Sequence, residues 1–314
     1  WDAAMFIIPD ALERYYGDTK TIEKLYPTCE KYLKYLKNRE NKEGTVTYGI
    51  GDWVYYKTQT PTEYTTTCFY YWDNVLMAHF AELTGHDSKP YVQKAGELKK
   101  LINQKYFDAE KCLYANGSQT AQAVALALDI VSEEHAQKVA ANLNKLIVDN
   151  NYHLDFGVLG SKYVPRMLSK YGFAETAYKM ATQKTVPSWG NWMEKGFTTL
   201  AETWVLSPEF RDASVNHVFL GDISAWMTNT LAGINYDNKN RGFQKIIIKP
   251  NYIKELSWVK ASYKSVKGLI KSEWKREGDE IKLFVTIPAN TSATIYTDKA
   301  VEVSGGTHEF TFKR

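Results

Sequence analysis

The chain is short of several things that would assign it to a class. It has three cysteines in 314 residues, Cys29, Cys68 and Cys112. Their number is odd and their spacing is of no metal-binding type, which excludes a paired disulfide framework and the common zinc motifs. Each lies in a helical pattern, so buried free thiols are expected. Histidines number only 6, and no His, Cys or Asp cluster has ligand spacing, so neither metal nor cofactor is expected. Gly-rich phosphate loops and a G-x-S-x-G elbow are missing. Neither sign of charge dominates: the formal net charge is +3. With no long basic run, nothing suggests a nucleic-acid partner. Apolar runs stop short of the roughly 18 residues a membrane span needs. An initiator methionine and a leader are also lacking. The chain opens at Trp1 inside a helical pattern, so a piece of a longer protein is expected.

Aromatic residues, in contrast, are plentiful, with 22 Tyr and 9 Trp. Flat apolar sugar faces stack on such rings, although a large core can also absorb them. The first two-thirds reads as alternating helices. Ala3–Tyr16, Thr62–Leu83, Gln119–Val131 and Asn216–Leu231 are apolar on most sides. Thr19–Lys37, Ser88–Tyr106 and Glu133–Asp149 are amphipathic with a lysine-bearing face. Ser161–Lys170 and Phe173–Gln183 continue the series. Helices buried all round that alternate with one-faced helices fit an (α/α) barrel, the first kind inside and the second outside. A six-pair barrel needs about one more pair, which would precede Trp1. The long loop from Asn38 to Pro61 carries Gly51, Asp52 and Trp53, and loops of that length are usually functional. From Asn235 the pattern turns to short β-rich runs broken by Gly, Pro and charged turns. The expected fold is therefore mainly α: an (α/α)6 barrel, incomplete at its N-terminal side, over residues 1–236. A small antiparallel β-sandwich over residues 237–314 follows.

The stretch from Pro187 to His217, PSWGNWMEKGFTTLAETWVLSPEFRDASVNH, concentrates chemistry. It places Trp189, Trp192 and Trp204 around one acid, Glu202, and closes on His217. An aromatic wall with a single acid is what a sugar-cleaving site requires. Core tryptophans beside a surface Glu are the plainer reading of the same residues.

The words of this stretch, PSW, GFTTLAETW and SVNH, resemble the end of the catalytic domain of bacterial α-L-rhamnosidases, glycoside hydrolase family 78. Trp1-Asp2-Ala3-Ala4, Gly51-Asp52-Trp53, the segment His153–Gly172, and the C-terminal runs IIIKP, SWVKASYKSVKG and IPANTSATIY resemble that family in the same order. The resemblance implies an inverting glycosidase that removes terminal α-L-rhamnose from a glycoside or polysaccharide, with Glu202 as general base. It implies that Trp53 and Trp1 stack on rhamnose and that Asp2, Asp52, Trp189 and His217 line the pocket. A periplasmic or secreted location is favoured. Inversion needs a second carboxylate roughly 6.5–9.5 Å from the first. In the family it comes from a D-x-x-x-x-E-x-x-GW-x-GD segment. No such segment occurs here, so the general acid is expected upstream of Trp1. Asp52 is the best internal substitute, and capping of a nearby turn is its plainer role. Two other classes stay open. A polysaccharide lyase shares the barrel, but Arg, which such enzymes use against uronates, is scarce around Glu202 and Asp52. A sugar-binding paralogue that has lost its acid is the non-enzymatic alternative.

Overall fold

The computed structural model describes residues 1–206 and 213–314. The chain divides into two compact units, one of Trp1–Phe6 with Leu25–Ile223 and one of Ile7–Lys24 with Ser224–Arg314. Ten α-helices are found among the described residues: α1 Ala4–Tyr16, α2 Lys20–Lys37, α3 Thr62–Thr84, α4 Lys89–Tyr106, α5 Gln119–Ala127, α6 Glu133–Asp149, α7 Val158–Lys170, α8 Ala174–Ala181, α9 Trp189–Glu194 and α10 Asp222–Trp226.

The helices of the first unit sort by burial as their sequences dictate. In α5, QTAQAVALA, all residues from Gln119 to Leu126 are buried. The small side chains let neighbouring backbones approach from every side. In α4 only Ala95, Leu98 and Ile102 are buried, at i, i+3 and i+7, and in α6 only Val139, Ala140, Leu143 and Ile147. These are single apolar stripes under a wet, charged face. Helix α3 packs on α4, α5 on α6 and α7 on α8, while α5 also packs against both α3 and α7. Three helical hairpins thus stand side by side, their crowded members adjacent. Ser118 caps α5 by accepting from the Ala121 amide at 3.2 Å, and Gly85, at φ 73°, closes α3 in the left-handed conformation that glycine tolerates. The three cysteines are buried and free.

Two elements depart from expectation. The helix expected over Asn216–Leu231 begins only at Asp222 and ends in a π turn, Met227–Leu231. Residues before it are drawn out of helical geometry because their backbone pairs elsewhere: the His217 amide donates to the Leu200 carbonyl at 2.8 Å. Helix α1 is not buried all round, since Ile8 and Tyr16 are exposed.

The second unit holds a six-stranded sheet: β3 Ile234–Tyr236, β4 Lys245–Ile248, β5 Trp258–Ser265, β6 Gly268–Glu277, β7 Glu280–Tyr296 and β8 Ala300–Lys313. A two-stranded ribbon, β1 Phe107–Asp108 with β2 Leu113–Tyr114, belongs to the first unit. The large sheet is mixed where an antiparallel one was expected: β4 runs parallel to β7 and the other pairs are antiparallel. Strand β7 makes this possible. Its first half pairs with β6, its second half pairs with β4, and a register shift between Ile287 and Ser292 separates the two. In sequence these halves read as two strands. Strand alternation buries Ile270, Ser272 and Trp274 of β6 and exposes Leu269, Lys271 and Lys275. The two buried polar atoms are satisfied: Ser272 Oγ donates to the Ala232 carbonyl at 2.6 Å and Trp274 Nε1 to the Leu231 carbonyl at 2.9 Å.

Candidate functional site

A cleft opens in the first unit. Trp1 and Asp2 come from the chain start, Tyr32 and Leu36 from α2, and Tyr48, Gly49, Ile50 and Gly51 from the long loop. Thr65, Phe69, Tyr70 and Asp73 of α3 and Leu159 of α7 complete it. Its walls combine aromatic rings with the polar residues Asp2, Asp73, Thr65 and Thr66, a mix that suits a small polar molecule. Trp1 is 47 % exposed, so its ring stands at the rim. Tyr32 donates to the Asp2 carboxylate; burial first, and then Asp2, pushes the Tyr32 phenol up.

The residues singled out in sequence divide into three groups. Trp1 and Asp2 line the cleft. Neither Glu202 nor His217 is among the residues that line it; they lie on two segments that pair with each other. The Glu202 amide donates to the Ser214 carbonyl at 2.8 Å, and the Ser214 amide donates to Glu202 Oε2 at 3.1 Å. The His217 ring lies 3.7 Å from that of Phe219, and Phe219 meets Trp1 edge-on at 4.8 Å. A ring relay, His217 to Phe219 to Trp1, therefore joins this segment to the rim of the cleft. Residues 207–212 of the Pro187–His217 stretch lie outside the described residues.

Asp52 and Trp189 form the third group: both are buried, and neither is among the residues that line the cleft. Asp52 is 3 % exposed and its carboxylate is consumed by the protein. Thr120 Oγ1 donates to it at 2.5 Å, and the amides of Gly157, Leu159 and Gly160 donate at 2.9, 2.8 and 3.4 Å. It thus caps α7 across the fold, where a carboxylate also suits the positive end of the helix. Burial nevertheless holds its pKa above the usual carboxylate range against these four donors. The fit depends on Gly157, whose Cβ, if present, would lie 2.1 Å from the Trp53 carbonyl. That carbonyl accepts from the Val158 amide at 2.9 Å. The Trp53 side chain itself is 45 % exposed, on the loop that supplies Tyr48 to Gly51 to the cleft. Trp189 is 6 % exposed. Its Nε1 donates to the Leu220 carbonyl at 2.9 Å, and its ring meets Trp204 at 5.0 Å and 89°. Trp192 stacks on Trp204 and Trp204 Nε1 donates to the Phe156 carbonyl at 2.6 Å. These indoles form a packed cluster, not a sugar platform. His153 pairs with the Asn150 carbonyl of its own loop and with Thr185 Oγ1 of the segment after α8.

Sequence reasoning passed over Tyr32, Tyr48, Tyr70, Phe219 and Asp73. The last carried a signal. In CFYYWDNV an acid stands mid-helix among apolar residues, and a helix buried on all sides seldom holds a carboxylate without use.

The chain matches two family models. Residues 1–231 match the bacterial alpha-L-rhamnosidase 6 hairpin glycosidase domain, and residues 233–310 the bacterial alpha-L-rhamnosidase C-terminal domain. An alpha-L-rhamnosidase of Streptomyces avermitilis is 27 % identical over 304 residues, covering 94 % of this chain and 29 % of the relative. One from Formosa agariphila is 27 % identical over 319 residues, covering 96 % of this chain and 33 % of the relative. The crystal structure of the Streptomyces avermitilis alpha-L-rhamnosidase complexed with L-rhamnose superposes with a TM-score of 0.92 at 26 % identity, over 100 % of this chain and 33 % of that one. The alpha-L-rhamnosidase of Dictyoglumus thermophilum gives 0.91 at 28 %, over 100 % and 39 %. The chain spans about a third of the length of these relatives. With both of its parts matched in order, this chain belongs to the bacterial α-L-rhamnosidase family of glycoside hydrolases.

Proposed function

We propose that the protein of which this chain forms part hydrolyses terminal α-L-rhamnosyl bonds with inversion, residues 1–236 bearing the site and residues 237–314 the accessory sheet. The terminal rhamnose of a glycoside or polysaccharide is the substrate, and the cleft between Trp1 and Asp73 receives it. Glu202 is the general base. It takes a proton from a water, whose oxygen attacks the anomeric carbon opposite the departing group. The glycosidic oxygen leaves with the bonding electrons and is protonated by a general acid from a segment preceding Trp1.

The observation that carries this reading is the ring relay from His217 through Phe219 to Trp1, which ties the Glu202 segment to the cleft's rim. A base must stand beside the sugar without filling its pocket, and a paired segment on the rim meets that need. Glu202→Gln in the complete protein tests it. Shape and hydrogen bonding are kept while the base is lost, so turnover of a nitrophenyl α-L-rhamnoside should fall on the order of 10²–10⁴-fold with L-rhamnose binding retained. Added azide should then yield the inverted glycosyl azide, because a small anion attacks without deprotonation. Near-normal turnover by this variant would remove Glu202 from the mechanism.

A further inference from the structure

Asp73 has no part in the proposed chemistry and no structural partner that accounts for it. It lies in the middle of α3 and is 2 % exposed, yet it lines the cleft with Trp1, Asp2 and Tyr32. Its Oδ1 is shut off from solvent and has no hydrogen-bond partner. A carboxyl in that state is costly to keep. Asp52, by comparison, is equally buried but satisfied by four donors. A buried polar group left unpaired on the floor of a cleft is what a ligand-binding residue looks like before its ligand arrives.

We propose that Asp73 is a sugar-contact residue of this cleft, its carboxyl donating a hydrogen bond to an oxygen of the terminal rhamnose ring. The inference rests on the glycosidase reading above and adds a contact to it. The surroundings favour the donor form. Burial first, with the neighbouring Asp2 acting the same way, holds the Asp73 pKa well above the usual carboxylate range. Helix α2 presents Cys29 and Tyr32 to the same carboxyl. A protonated Asp73 and the Asp2 carboxylate give the cleft one donor and one acceptor at its floor. Adjacent hydroxyls on one sugar face can satisfy both.

The test uses Asp73→Leu and Asp73→Asn in the complete protein, with L-rhamnose and its three monodeoxy analogues (at C2, C3 and C4) as probes. Leucine fills a similar space without a polar atom, so the melting temperature should be unchanged or higher, because an unpaired buried carboxyl has been removed. L-rhamnose binding should weaken about tenfold, and KM for a nitrophenyl α-L-rhamnoside should rise alike while kcat stays within about threefold. Asparagine, which still donates, should restore most of the binding. One deoxy analogue should bind the unsubstituted protein about tenfold more weakly than L-rhamnose and be indifferent to Asp73→Leu. Unchanged L-rhamnose binding and KM in Asp73→Leu would overturn the inference while leaving the glycosidase reading intact. A fall of a hundredfold or more in kcat in both variants, at constant KM, would overturn it too, by making Asp73 a proton donor to the reaction. If the unsubstituted protein binds no L-rhamnose, the glycosidase reading falls and this inference with it.

Discussion

Glu202 and Ser214 hold each other from both sides, the Glu202 amide donating to the Ser214 carbonyl at 2.8 Å and the Ser214 amide donating back to Glu202 Oε2 at 3.1 Å. The second bond orients the carboxylate by occupying one of its oxygens, and the other is the one we assign to the attacking water. Ser214→Pro removes that amide donor without touching the acid. The rate of a positioned base depends on its aim, so kcat should drop on the order of ten- to a hundredfold with KM nearly unchanged. Steady-state kinetics on a nitrophenyl α-L-rhamnoside measure it. An unaltered kcat would show that the latch does not aim the base.

Asp52 should prove a stability residue. Asp52→Ala strands Thr120 Oγ1 and the amides of Gly157 and Leu159 without an acceptor in a buried place. A loss of about 2–4 kcal/mol is expected, read by chemical denaturation, with KM for surviving folded protein little changed. A normal unfolding free energy together with a large rise in KM would return Asp52 to the sugar pocket.

The network around Glu63 sets a pH dependence. Lys105 donates to its carboxylate, as do Thr45 Oγ1 at 2.6 Å and the Tyr106 hydroxyl at 2.8 Å. Led by Lys105, these bonds lower the Glu63 pKa from 4.5 to about 2. A depressed folded-state pKa stabilises above the unfolded value and ceases to do so as pH falls through the folded one. The contribution is thus whole above 4.5 and fades between there and about 2. Glu63→Gln should lose about 1 kcal/mol at pH 7, screened as the pair is, and the difference from the unsubstituted protein should shrink as pH is lowered towards 2. Equal differences at both ends would place the stabilisation outside this ionisation.

The sequence made the helical hairpins legible because burial on all sides and burial on one side leave different patterns, as α5 and α4 illustrate. It misread 216–221 because Val218, Phe219 and Leu220 continue an apolar spacing that suits a helix. The backbone there is tied instead to residues distant in sequence, the His217 amide to the Leu200 carbonyl and the Leu220 carbonyl to Trp189 Nε1, which no local pattern reveals. Asp52 stands out in sequence through its neighbour. Its place beside Trp53 suggested a pocket, whereas its donors lie 68 to 108 positions further along the chain. Trp189 shows the same limit: a tryptophan near an acid reads alike whether its ring faces a sugar or, as here, its N–H meets the Leu220 carbonyl. Asp73 was visible as an anomaly, yet only the shape of the cleft gives an acid inside a buried helix something to touch.

In the proposed reaction a water activated by Glu202 displaces the leaving group directly at the anomeric carbon. Proton NMR of the complete protein acting on a nitrophenyl α-L-rhamnoside, recorded in the first minutes before mutarotation, tests it most directly. The β-anomer of L-rhamnose should appear first and the α-anomer only later, as the free sugar equilibrates. The α-anomer appearing first would mean retention through a covalent glycosyl-enzyme and would rule out Glu202 as a base acting on the displacing water.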